Sequence, residues 1–328
     1  MQPSIGGKPL FCAKRNKPVE IPAPLAPLAD THGHLTSFRK LEPAQAIARA
    51  ALVGVRLLVV PVDPSDDVLD VPQFLDWFDR TIEDAARLLE KNEELVAQTL
   101  PTPELQDPAT LMDNVYFVAG VHPYGAQRLE EDAQVRMRLE QLLGNGRCKG
   151  VGEFGLDYGP WNELPAQVQE QAMRTQLRLA HERGLPVELH LRDGEQNTLA
   201  HDGALRLLKE EGIPEAGCDL HCFTSGPEVM EPFAQMGCSI AFGGAATFAR
   251  SNDIRAAVAS CPEERLLSET DSPYMAPVPL RGQECEPAMV ALSIARIAEE
   301  RERERAVPQA QTYAALWRNA VSFFGIGL

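Results

Sequence analysis

The sequence predicts an α/β protein built as a (β/α)8 barrel. Eight short apolar runs of strand length alternate with helical patterns along the 328 residues, and alternation of that kind implies right-handed βαβ crossovers and a parallel sheet. No Gly-rich G-x-G-x-x-G follows the first strand, which favours a closed barrel over an open dinucleotide-binding sheet and argues against a nucleotide cofactor. A 44% apolar share with 24% charged residues supplies a substantial core and excludes general disorder.

In chain order, strands are expected near 27–31, 55–62, 115–121, 148–153, 186–190, 218–222, 238–243 and 265–271. The helix between the fourth and fifth spans 164–183, where Leu164, Val168, Met173, Leu177 and Ala180 recur at three- to five-residue steps and form one apolar stripe. Residues 1–27 form an N-terminal extension whose Pro-rich part, 18–27, reads as a strapped-down tail, and 28–328 form a single barrel. Within it, 63–114 is an extended connection between strands two and three: a long amphipathic helix over 72–98, then a Pro-rich loop over 99–108. The alternating charges of 299–305 read as a solvated helix end, with opposite signs three and four residues apart.

Several classes of function are set aside by composition. No run reaches the ~18 to 20 uncharged apolar residues of a membrane span. Residues 1–27 carry four basic side chains but no apolar central region of signal-peptide length. Seven cysteines without framework spacing suit reduced thiols, so the expected compartment is the cytoplasm. With 31 Lys+Arg against 47 Asp+Glu, the formal charge of −16 argues against nonspecific coating of nucleic acid. Phosphate recognition would then rest on bound cations and a few arginines.

Catalytic groups of such barrels come from the C-terminal ends of the strands. Strand one ends in Asp30-Thr31-His32-Gly33-His34-Leu35, with two histidines two apart and on one side of an extended chain. Strand four leads through Glu153 to Asp157 among glycines; strand five ends in His190-Leu191-Arg192-Asp193, strand six in His221-Cys222, and strand eight in Glu269-Thr270-Asp271. Each alone has a structural reading, a hydrogen-bonded core histidine or a helix cap. Together, four histidines and two acids fall where eight strands deliver them to one opening. His32, His34, Glu153 and Asp271 are expected to hold one divalent ion, and Glu153, His190 and His221 a second, with Glu153 as the bridge. Nitrogen plus carboxylate donors suit zinc, manganese, nickel or iron; magnesium fits less well.

These motifs, with Gly120-Val121-His122-Pro123 and 269–274, make the chain similar to the TatD family of metal-dependent hydrolases over residues 30–287. The resemblance implies a TIM-barrel hydrolase of the amidohydrolase-like group with two divalent metals and DNase or other phosphodiester-cleaving activity. It departs from the family at Thr36, where Asp is usual, and at Cys285, which replaces an Asn before Glu286-Pro287. Glu153 occupies the place where other amidohydrolases carry a bridging modified lysine.

Two cations and two carboxylates leave about two positive charges, which suits an anionic substrate attacked by a metal-activated hydroxide. Asp271 is the candidate to orient and deprotonate that water, with Glu153 as the second catalytic carboxylate. His122 and Arg192 are candidates to contact substrate, Arg192 as a phosphate clamp unless it pairs with Asp193 or Asp157. Tyr158 and Phe223 are considered as stacking rings. His181, within a helix, and His201, in a loop past strand five, are read as noncatalytic. The expected function is metal-dependent cleavage of phosphodiester bonds in a nucleic acid end or short oligonucleotide. Hydrolysis of a carboxylic ester or amide, such as an aminoacyl-tRNA ester, is the alternative within enzymes; a non-catalytic metal-binding barrel is the alternative outside them. The oligomeric state is left open.

Overall fold

The computed structural model describes residues 2–91 and 95–327. Its central sheet consists of β1 (Leu28–Asp30), β2 (Val55–Val62), β3 (Val115–Ala119), β4 (Cys148–Asp157), β5 (Val187–Arg192), β6 (Cys218–Leu220), β7 (Ser239–Phe242) and β8 (Leu266–Ser268). Neighbours pair in parallel and in sequence order. The last strand returns to the first: Thr31 N–H donates to Ser268 O at 3.0 Å, Ser268 Oγ to Ala29 O at 2.8 Å, and Gly33 bridges to Ser272. These contacts bring the eight-stranded sheet round into the expected barrel.

The crossovers are α1 (Pro43–Val53), α2 (Val71–Glu90), α3 (Ala126–Glu131) with α4 (Ala133–Leu143), α5 (Ala166–Arg183), α6 (Leu199–Glu211), α7 (Pro227–Gln235) and α8 (Asn252–Ser260); α9 (Val290–Arg305) and α10 (Gln309–Phe323) follow the last strand. Burial on both faces explains the apolar run of β2 over 57–62; all eight residues of the strand are buried, Arg56 included, whose Nη1 donates to Ala51 O and Val55 O at 2.9 and 2.7 Å. Inside the barrel, Ala29, Leu57, Val59, Val118, Ala241 and Leu267 form a cluster closed by Phe324 and Ile326 after α10. No helix among the described residues is long and apolar enough to cross a membrane.

Some expectations are revised. Strand four continues to Asp157 because its ladder with β5 extends to Asp157–Arg192, so Glu153 and His190 lie within strands rather than at their tips. On α5 the stripe is Ala172, Met173, Gln176, Leu177 and Ala180; Leu164 precedes the helix and Val168 is only half-buried. The helix expected over 72–98 ends at Glu90. Its expected 92–94 portion lies outside the described residues, and beyond it Val96 exchanges backbone hydrogen bonds with Ser4, both at 3.1 Å, taking an extended conformation instead.

The connection between β2 and β3 serves both ends of the barrel. Asp63, Ser65, Asp66 and Asp67 line the mouth, whereas Leu100 and Pro24 both pack on Gly54 beside the N-terminal end of β2. The end of α9 is not simply solvated: Glu300 and Arg301 are buried, Arg301 Nη1 donating to Val258 O and Cys261 O at 3.1 and 2.7 Å. N-terminal residues Leu10, Phe11, Val19 and Ile21 are buried, with the Arg49 guanidinium of α1 lying 5.1 Å from the Phe11 ring centre.

Candidate metal centre

The barrel mouth is a cleft of about 920 Å³ whose floor carries His34, Glu153, His190, His221 and Asp271. All six residues expected to form the centre come together there. His32 and His34 present Nε2 atoms 3.3 Å apart. Both face Glu153 Oε2, at 3.6 and 3.7 Å, and Asp271 Oδ1, at 3.9 and 3.8 Å. The other Glu153 oxygen, Oε1, lies 2.6 Å from His190 Nδ1 and 3.0 Å from His221 Nε2. One carboxylate thus faces two histidine sets with its two oxygens.

Local sequence makes that placement possible. A side chain at Gly152 would meet Glu188 Cβ at 2.6 Å, and one at Gly155 (φ 153°) would meet His190 O at 2.1 Å, so only glycine lets β4 press against β5 on both sides of Glu153. Asp271 has a left-handed backbone (φ 53°), held by its N–H donating to His32 O at 2.9 Å. For a non-glycine residue that conformation costs on the order of 1–2 kcal/mol.

Neighbouring groups fix the imidazoles. Glu188 Oε1 lies 2.7 Å from His32 Nδ1, and Asp157 Oδ2 lies 3.1 Å from His190 Nε2, leaving His32 Nε2 and His190 Nδ1 turned towards the centre. His122 accepts from Tyr124 N–H through Nδ1 at 3.2 Å, which puts its proton on Nε2, 3.6 Å from Glu153 Oε1. Asp63 holds the backbone of that loop, accepting from His122 N–H at 3.0 Å. Burial, aided by His190, lowers the His122 pKa to about 3, so its ring is neutral. For His190 burial is outweighed by Asp157 and Glu153, and the pKa rises to about 9. Burial opposes ionisation of Glu153, but His221, His122 and His190 overcome it and hold this carboxyl well below the usual range.

Sequence reasoning assigned no role to the acids beneath this layer. Glu188, Asp219 and Glu269 are almost wholly buried, and each precedes a residue of the centre by two positions: His190, His221 and Asp271. Burial pushes all three carboxyls well up, and neighbouring acids add to the effect at Glu188 and Glu269. Their period-two spacing was the available signal. Other expectations resolve as follows. Arg192 pairs with Asp157 at 3.2 Å, not with Asp193, and remains 43% exposed. His201 lies in the first turn of α6 rather than in a loop, its Nδ1 2.6 Å from Asp193 Oδ2. Phe223 is buried against His201 and Phe242, a packing role, and Tyr158 is half-buried. His181 is exposed, near Gly212 O at 3.2 Å.

A family model described as TatD related DNase matches residues 29–325, almost the whole barrel. The chain belongs to the TatD family. An uncharacterized metal-dependent hydrolase, YabD of Bacillus subtilis, is 35% identical over 190 residues, covering 58% of this chain and 71% of that relative. The Klebsiella pneumoniae protein named 3'-5' ssDNA/RNA exonuclease TatD is 34% identical over 240 residues, 71% of this chain and 86% of that protein. Among solved structures, the TatD homologue YJJV of Escherichia coli superposes with a TM-score of 0.68 at 26% identity, covering 92% of this chain and 100% of that one. Among the described residues of this TatD-family chain, four overlapping groups have donor atoms within 4.8 Å of one another and could hold a cation: His32–His34–Asp271, Glu153–His190–His221, His32–His221–Glu269 and His122–Asp157–His190; the first two match the expected pair.

Proposed function

We propose that the protein is a divalent-metal-dependent phosphodiesterase acting on the ends of single-stranded nucleic acid. The observation that carries this reading is the double-facing Glu153 carboxylate, with His32 and His34 on one oxygen and His190 and His221 on the other. Donors tetrahedrally arranged 2.0–2.2 Å from a cation lie about 3.3–3.6 Å apart. In the first set the His32–His34 and histidine–carboxylate separations span 3.3–3.9 Å, close to that spread. The second is tighter, 2.6–3.2 Å, which is hydrogen-bond spacing, so holding a cation there requires these side chains to exchange their mutual hydrogen bonds for contacts to the ion. His32, His34, Glu153 and Asp271 would hold one ion, and Glu153, His190 and His221 another; mixed nitrogen and oxygen donors favour zinc, manganese, nickel or iron over magnesium.

When bound, two such ions supply the Lewis acidity that makes water nucleophilic near neutral pH and neutralises phosphate charge. Asp271, whose pKa burial raises, orients the water and accepts its proton. The His122 Nε2–H donates to a phosphate oxygen, and its low pKa keeps it from competing as a cation. Arg192 offers its exposed guanidinium edge to the next phosphate while Asp157 holds it in place. The name of the Klebsiella relative supports the same substrate class.

Asp271→Asn and Glu153→Ala are expected to abolish cleavage of a single-stranded oligonucleotide while circular dichroism and thermal unfolding of the metal-free proteins stay native-like. Full turnover in either variant would reject the mechanism. Hydrolysis of an acyl ester is the second reading, favoured by the acidic wall of Asp66 and Asp67 in the mouth, which suits a substrate bearing an ammonium group. Turnover on a nucleotide diester compared with an aminoacyl ester separates the two.

A further inference from the structure

Of nine exposed large apolar side chains among the described residues, five stand on the connections that follow the strands at the mouth, Leu69, Tyr124, Trp161, Tyr274 and Val278, and a sixth, Leu199, opens α6 after β5. Concentration of this kind on one rim marks a surface that meets something. Trp161 is the extreme case at 74% exposure. Its loop is nevertheless anchored: Gly159 N–H donates to Asp157 Oδ1 at 2.8 Å, and Asn162 N–H to Gly159 O at 3.3 Å. One face of the indole carries the Arg192 guanidinium, 5.6 Å from the ring centre.

The same guanidinium connects the ring to the floor of the cleft. Arg192 Nη1 reaches Asp157 Oδ2 at 3.2 Å and donates to the Tyr124 hydroxyl at 3.3 Å, and Asp157 in turn contacts His190. Tyr124 stands edge-on to His122, with ring centres 4.5 Å apart, and exposed Tyr274 stands edge-on to His34 at 6.2 Å. Aromatic faces therefore flank the centre on the β3–β5 side and on the β8 side. The β2 side is different: Asp63, Asp66 and Asp67 line it. A polyanion crossing the mouth is repelled from the β2 wall and drawn towards the Arg192–Trp161 wall.

We infer that Trp161, backed by Arg192, is the stacking platform for the base next to the scissile phosphodiester, and that it selects single strands. This rests on the phosphodiesterase reading above. Every base offers a π-face, so such a platform tolerates sequence, but in a duplex the internal faces are covered by their neighbours. Arg192 serves both elements of the nucleotide, its guanidinium backing the indole and its N–H groups available to the phosphate. Trp161 acts on selection and touches no reacting atom.

The test compares wild type, Trp161→Ala and Trp161→Phe, each metal-loaded, on a single-stranded decamer, a blunt duplex of the same sequence, and methyl p-nitrophenyl phosphate. Base–aromatic stacking of ~1–3 kcal/mol corresponds to a rise in KM for the decamer of roughly five- to 150-fold in Trp161→Ala. Trp161→Phe recovers most of it. Selectivity for the decamer over both the duplex and the small diester falls accordingly, and the decamer quenches tryptophan fluorescence in wild type more than in Trp161→Phe. A decamer KM within twofold of wild type in Trp161→Ala overturns the inference, as does a parallel rise for the small diester or an equal quench in Trp161→Phe. Cleavage of the small diester without binding of the decamer overturns it while leaving the phosphodiesterase reading intact; absence of any diester cleavage removes both.

Discussion

Removing Glu188 should weaken one of two metal-binding steps and leave the fold no less stable. Its Oε1 lies 2.7 Å from His32 Nδ1, with both side chains at most 1% exposed, so it sets which His32 nitrogen faces the centre. Losing such an orienting partner typically costs 10- to 100-fold in metal affinity, about 1.4–2.7 kcal/mol. In Glu188→Leu the loss should fall on the ion held by His32, His34 and Asp271, while the ion held by His190 and His221 keeps its affinity. Stability moves differently. Glu188 Oε2 and both Asp219 oxygens lack hydrogen-bond partners, and the two acids sit side by side in the β5–β6 ladder. Replacing Glu188 with an apolar side chain of similar size relieves that crowding of buried acids, which offsets the loss of the partner of His32 Nδ1. Competition with a chromophoric chelator reads the two binding steps, and calorimetry reads the melting temperature of the stripped protein. Unchanged affinity, or an equal loss at both steps, would refute the assignment of Glu188 to His32.

Two further predictions concern stability. With metal removed, folded His190 has a pKa near 9 against an ordinary 6.5, and buried Asp30 one near 8 against 3.8. Between about pH 6.5 and 9 the native state therefore binds more protons than the unfolded chain, and stability falls as pH rises. The His190 contribution is fully present below 6.5, whereas the Asp30 penalty grows from about 3.8 upwards. Melting temperature in a chelator should drop across this window, and metal-loaded protein, which needs neutral His190, should not follow it; a flat profile in chelator would contradict the His190 environment. Separately, Phe11→Ala should destabilise by about 3–5 kcal/mol in urea unfolding, since the ring is 3% exposed and covered by Arg49. A cost below about 1 kcal/mol would mean the N-terminal segment is not packed as described.

The barrel is legible because its strands are buried on both faces and carry short apolar runs at regular intervals between helical patterns, residues 57–62 of β2 above all. The convergence of the six candidate residues on one mouth is legible because a barrel gathers the C-terminal parts of its strands there, although Glu153 and His190 lie within β4 and β5 rather than at their ends. Strand lengths were harder to read. Glycines 152 and 155 look like the end of a strand, yet they are what allows β4 to continue alongside β5. Glu188, Asp219 and Glu269 were readable from their spacing two residues before His190, His221 and Asp271, but a buried acid runs against the expectation of an apolar strand interior. That Glu188 of β5 reaches His32 after β1 depends on closure of the barrel, which no local pattern encodes. Sequence alone does not separate Trp161 from Tyr158 and Phe223 as a stacking ring, because exposure is a tertiary property: Phe223 is 3% exposed and Trp161 74%.

The account stands or falls on Glu153 joining two cation sites. Crystals grown with manganese or zinc and measured above the metal absorption edge should show two anomalous peaks at the barrel mouth. One belongs among His32, His34 and Asp271, the other between His190 and His221, and each should contact a different oxygen of Glu153. A single peak, or peaks that leave Glu153 uncoordinated, would contradict it.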